Sequence, residues 1–129
     1  MTLYHFTARR FLPGIQADGL LLGCLPLCDR PIRVEPGWQW LTSCGDYATN
    51  DWAEGTGRLA YSRREIRLTI GVSLITDPLY RWIVWGSRLT PMYQILSEFG
   101  DPEHWWVWKG TVPPGRILLV EAMESRKEP

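Results

Sequence analysis

A short apolar strand that carries a histidine and runs straight into a helix constrains this chain more than any other feature. Leu3-Tyr4-His5-Phe6-Thr7 reads as the strand. Behind it Phe11, Leu12 and Ile15 fall at i, i+1 and i+4, one stripe of a helix. Asp18-Gly19 closes that helix, since glycine suits the left-handed conformation of a C-terminal position. Leu20 to Leu22 restart an apolar run. Strand, helix and Gly-Leu together present one imidazole, His5, at the mouth of a cleft. Taken alone, a histidine in an apolar strand is more often a core residue satisfied by a backbone carbonyl. What surrounds His5 therefore decides its role.

The 129 residues suit one domain, 1–129, with a charged end, 122–129, expected to fray. A domain of this size buries roughly two-thirds of its unfolded surface, enough for a core without metal or disulfides. Formal net charge is zero, which argues against bulk electrostatic attraction to nucleic acid or membrane. Twelve of the fourteen basic residues are arginine, whose planar fork grips phosphate and carboxylate. Most of the eight tryptophans are expected in the core, although exposed Trp and Arg together can hold a stacked base. Cys24, Cys28 and Cys44 are an odd set without a signal peptide, which points to free thiols and a cytoplasmic location. Cys24-x3-Cys28 has no second paired motif, so no metal site is expected. No apolar run approaches a membrane span.

Along the chain, residues 24 to 37 hold Pro26, Pro31, Pro36 and Gly37 and read as an irregular loop carrying Arg30 and Arg33. Trp38-Gln39-Trp40-Leu41-Thr42 alternates as a strand, and a helix is expected over 45–53. Glu54-Gly55-Thr56-Gly57 reads as a turn. Ile66, Leu68, Ile70 and Val72 alternate with Arg67 and Thr69, the clearest half-buried strand. Residues 86 to 90 read as a break. Thr90-Pro91 then opens a helix over 92–99. Residues 103–109 and 116–122 read as the last strands. The pattern is α+β.

Leu3-Tyr4-His5-Phe6-Thr7, with Gly14-Ile15 and Gly19-Leu20 behind it, resembles the first motif of the ADP-ribosyltransferase superfamily, in its diphtheria-toxin-like and poly(ADP-ribose)-polymerase-like branch. The resemblance implies an α+β fold with a split, mostly antiparallel sheet, its cleft between the His5 strand and the Trp40 strand. It also implies that NAD is the co-substrate. His5 would hold a ribose hydroxyl, and the backbone at Phe6 and Thr7 would grip the nicotinamide amide. The family usually has glycine where Phe6 stands, so that side chain must point elsewhere. Trp38 to Thr42 resembles the second motif, which gives Trp40 first, then Trp38, as the ring stacked on nicotinamide. Such a face is worth on the order of 1–2 kcal/mol against a cationic ring. Tyr47 and Trp52 are candidates for a second aromatic. Arg30 and Arg33 are candidates for the pyrophosphate, against the simpler reading that they are solvated loop charges.

ADP-ribosyl transfer passes through an oxocarbenium-like state, so it needs a carboxylate near the developing charge. In the family that glutamate opens a late strand. Glu103 does so on this reading, with Glu98 as its rival and His5 as the third catalytic candidate. The implied activity is transfer of ADP-ribose to a macromolecular acceptor, protein or nucleic acid, with no membrane partner. The family's settings include mobile-element toxins and phage counter-defence factors. Two other classes stay open. One is a module on the same fold that binds NAD, ADP-ribose or a nucleotide without catalysis. The other is an interaction protein with no NAD affinity.

Overall fold

The computed structural model describes residues 1–45, 65–98 and 100–123. Tyr47, Trp52, the helix expected over 45–53 beyond Gly45, the turn at 54–57 and the end of the tail lie outside the described residues.

The fold is α+β with an antiparallel sheet. Its strands are β1 (Thr2–Thr7), β4 (Trp38–Thr42), β5 (Ile66–Gly71), β6 (Leu79–Arg81), β7 (Trp105–Lys109) and β8 (Ile117–Ala122), in the order β6-β7-β4-β1-β5-β8. Among the described residues three helices accompany it: α1 (Leu12–Asp18), α2 (Trp82–Leu89) and α3 (Tyr93–Leu96). Alternation along each strand sends neighbouring side chains to opposite faces, and the sheet has a core on each face. Leu3, Leu41, Leu68, Ile70 and Trp108 meet Ile15 of α1 on one side. Trp38, Trp105 and Val107 meet Trp82 of α2 and Leu96 of α3 on the other. His5 pairs with Leu68 and shares the α1 face with it.

Three elements differ from the sequence reading. Residues 24 to 37 form a hairpin, β2 (Cys24–Asp29) with β3 (Ile32–Pro36), not an irregular loop. A two-stranded ribbon leaves outer edges without a ladder partner, so prolines are tolerated there. Pro31 sits at the turn, and the register shifts just after Pro26. Residues 86 to 90 are not a break: Gly86 lies inside α2. A Cβ there would come within 2.6 Å of the Tyr93 ring and 2.8 Å of the Trp82 ring, so glycine is present for packing rather than for a turn. Glu103 does not open a strand. Pro102–His104 forms a 3-10 turn, closed by His104 N–H donating to the Asp101 carbonyl at 3.1 Å, and β7 starts only at Trp105.

The helix expected over 92–99 with Thr90 as its cap is Tyr93–Leu96, capped at Met92 without a side-chain bond, and Thr90 instead closes α2. The Thr90 hydroxyl accepts from Met92 N–H at 3.0 Å and donates to the Pro26 carbonyl at 2.5 Å. One buried side chain thus braces the link between α2 and α3 and fastens the hairpin to it. Among the described residues no helix is long and apolar enough to cross a membrane.

Candidate functional site

β1 stays in register with β5 from Thr2↔Gly71 to Thr7↔Ile66. With β4, among the described residues, it registers only at Tyr4↔Thr42. Beyond that pair the two strands part. A cleft of about 400 Å³ lies at the parting, within the range of about 300–1,000 Å³ that small-molecule sites occupy. Its walls are the end of β1 (His5, Phe6, Thr7), the inner side of Phe11 and α1, the connection from Gly19 to Cys24, and Gln39 and Trp40 of β4.

His5 joins the two parted strands. Its Nδ1 lies 2.8 Å from the Trp40 carbonyl, 35 residues away in sequence. A carbonyl only accepts, so Nδ1 carries the proton in this bond. His5 is satisfied by a backbone carbonyl, as core histidines are, and it also lines the cleft.

Gln39 builds the wall beneath. It is 2% exposed, accepts from Gly23 N–H at 2.9 Å through Oε1, and donates to the Gly110 carbonyl at 3.0 Å through Nε2. Both ends of the amide are occupied, so Gln39 shapes the site. Gly23 has no room for a side chain: a Cβ would overlap the Trp38 carbonyl and reach 2.5 Å from Gln39 Oε1. Trp40 donates its Nε1 to the Cys24 carbonyl at 2.9 Å, and its ring packs against Trp82 at 4.9 Å and edge-on to Trp105 at 5.8 Å. The ring is partly exposed and held in the core on the α2 face, and its residue is among those that line the cleft. Burial pushes the Cys24 thiol pKa up, which favours the protonated thiol at this wall.

The structure therefore brings together His5, Phe6, Thr7 and Trp40. Phe6 is 5% exposed and pairs with Arg67 on β5, so by alternation its side chain leaves the face that His5 occupies. Trp38 does not join them. It is 5% exposed, bonds Glu35 Oε2 at 2.6 Å through Nε1, and packs against Tyr80. Arg30 at the hairpin turn and Arg33 on β3 are exposed and do not line the cleft, because the segment that carries them is a projecting ribbon. Glu98, beyond α3, and Glu103, in the 3-10 turn, are also exposed and outside the lining. The carboxylate among the described lining residues is Asp18, at the end of α1.

Glu103 nevertheless sits on a held turn. Ser43, directly after β4, donates its N–H to the His104 carbonyl at 2.9 Å, and its Oγ lies 2.8 Å from His104 Nδ1. His104 Nε2 faces Asp101 at 3.4 Å.

Reading the sequence missed Gln39, Gly23 and Phe11. For Gln39 a signal existed: on a strand it must face away from Trp38 and Trp40, into the α1 side. Comparison with protein-family models, with curated proteins and with solved structures finds no match to this chain.

Proposed function

We propose that the cleft binds NAD and that this is an ADP-ribosyltransferase-type domain. One observation carries the reading. His5 and Trp40, singled out by two separate motifs, meet across the single parting of the sheet seen among the described residues and line the same cavity. His5 holds a ribose hydroxyl. The main chain of Phe6 and Thr7 offers amide donors and acceptors at the edge where β1 leaves β4. Trp40, locked by its N–H bond and by Trp82, is the flat wall for a ring.

Titration calorimetry tests this directly. NAD is expected to bind saturably at or below millimolar concentration, and His5→Ala to weaken binding at least about tenfold, the scale of one lost hydrogen bond of about 1.4 kcal/mol. Thermal melting of the variant separates this from unfolding, since His5 also ties β1 to β4. Absence of saturable binding to the folded wild type would remove NAD from the reading and leave an interaction protein.

The domain transfers ADP-ribose to a protein or nucleic-acid acceptor, with Glu103 as the carboxylate. β7, which it precedes, pairs with the cleft strand β4, and the adjacent His104 is bonded to Ser43 at the end of that strand. Glu103→Gln keeps size and loses charge. It is expected to slow NAD cleavage by roughly 10²–10³ while NAD affinity stays within about twofold, because the charge matters when the oxocarbenium develops. Single-turnover release of nicotinamide reads this out. The position of Glu103 outside the cleft lining favours a second reading, a module that binds NAD without cleaving it. That reading takes over if Glu98→Gln, Glu103→Gln and the double variant all match the wild type.

A further inference from the structure

We infer that Asp18 makes this cleft selective for a positively charged ring, an assignment that rests on reading the cleft as an NAD site. Among the described lining residues Asp18 is the one carboxylate, and neither Arg nor Lys is present. Much of the remaining lining is apolar, with Phe11, Ile15, Leu20 and Leu22 in it.

Asp18 stands where helix electrostatics disfavour it. It is the last residue of α1, at the negative end of the helix dipole, and no basic residue lies in that last turn. Among the described residues its carboxylate has no hydrogen-bond or salt-bridge partner. Helix stability alone would favour a neutral or basic residue here. The backbone that follows is nevertheless fixed. Gly19 N–H donates to the Ile15 carbonyl at 2.8 Å, and Leu20 and Val112 exchange two bonds of 2.9 Å. Asp18 is thus kept at the cleft. A carboxylate and a helix C-terminus act in the same sense, so the potential on this side of the cleft is negative. Apolar walls weaken its screening once a ligand displaces water. The part of a ligand that gains from such a wall is a cation. Nicotinamide in NAD is a flat ring with one positive charge, and in NADH that ring is neutral while the diphosphate and adenosine are unchanged. The anionic diphosphate gains nothing from these lining residues and lies beyond them.

The test compares Asp18→Asn with wild type for four probes: NAD, NADH, the N-methylnicotinamide cation and neutral nicotinamide. Asp18→Asn keeps shape and loses charge. It is expected to weaken NAD and N-methylnicotinamide by about three- to fivefold, the scale of an ion pair at a partly solvated rim, and to leave NADH and nicotinamide unchanged. The loss is expected to shrink as ionic strength rises. The variant is expected to melt no lower than wild type, because a negative charge has left a helix C-terminus. Both dinucleotides meet the same sample, so the ratio of their affinities is insensitive to any change in folded fraction. Wild-type affinity of Asp18→Asn for NAD overturns the assignment and leaves the NAD site standing. Equal losses for NAD and NADH also overturn it, since Asp18 would then act through shape or a hydrogen bond. N-methylnicotinamide binding that needs Asp18, with no NAD binding to wild type, keeps the cation site and overturns the dinucleotide reading instead. No binding of any probe to wild type overturns both.

Discussion

Gly19→Ala is expected to destabilise the protein by at least about 3 kcal/mol and to abolish ligand binding in the cleft. Gly19 ends α1 with φ at 88°, in the left-handed region that side chains disfavour. Space adds to the conformational cost, because a Cβ there would overlap the Val112 carbonyl oxygen. That carbonyl cannot retreat cheaply. It accepts from Leu20 N–H at 2.9 Å, and Val112 N–H returns a bond to the Leu20 carbonyl at 2.9 Å. Relief of the overlap must break this two-way bridge and move the Gly19–Cys24 wall of the cleft. Denaturant midpoints measure the effect. Gly14→Ala is the control: Gly14 is on the same helix, has an ordinary φ, and would meet nothing within 4 Å. It is expected to be neutral or stabilising by up to about 1 kcal/mol. Equal losses in the two variants would show that conformation and overlap at Gly19 are not what matters.

Trp82→Ala is expected to cost about 3–5 kcal/mol and to lower Tm by roughly 10–20 °C. Trp82 is 0% exposed and is the largest fully buried side chain among the described residues. Its ring meets Trp40 at 4.9 Å, Tyr93 at 5.1 Å and Trp105 at 6.1 Å, and its Nε1 donates to Ser97 Oγ at 2.9 Å. Removal leaves a cavity behind the Trp40 wall, so NAD affinity is expected to fall together with stability. Trp82→Phe keeps a ring and loses the N–H. Its expected cost is smaller, about 1–2 kcal/mol, with Trp40 still supported. Near-ultraviolet circular dichroism follows the tryptophan cluster in both variants. An alanine variant that melts within a few degrees of wild type would mean that this cluster is not the core of the α2 face.

Much of the architecture is local and was legible. The two-residue alternation of Ile66, Leu68 and Ile70 names a strand and its buried face at once, because side chains on a strand alternate strictly. Asp18-Gly19 marks the end of α1 through a backbone conformation that glycine adopts easily. Where one residue type serves two purposes, the local signal misleads. Gly86 resembles a breaker and is instead the surface on which Tyr93 packs, a fact that lives on another helix. The prolines of 24–37 resemble a loop because proline denies ladder bonds, yet the ribbon they sit in has outer edges that need none.

The site divides the same way. His5 and Trp40 each stand out in sequence, one as an imidazole in an apolar strand and the other in an alternating aromatic run. Their meeting depends on β1 and β4 lying side by side and then parting after Tyr4↔Thr42, a matter of pairing between segments 35 residues apart. The wall residue Gln39 takes its place from Gly110, 71 residues away. The positions of Arg30, Arg33 and Glu103 relative to the cleft were likewise decided by which turn or ribbon carries them. The sequence by itself determined the strongly patterned strands, their facing and the stop after α1, since those follow from backbone conformation and side-chain period within a few residues. Tertiary structure alone decided which strands neighbour one another, where the sheet opens and which charges reach the opening, since those follow from packing between distant segments.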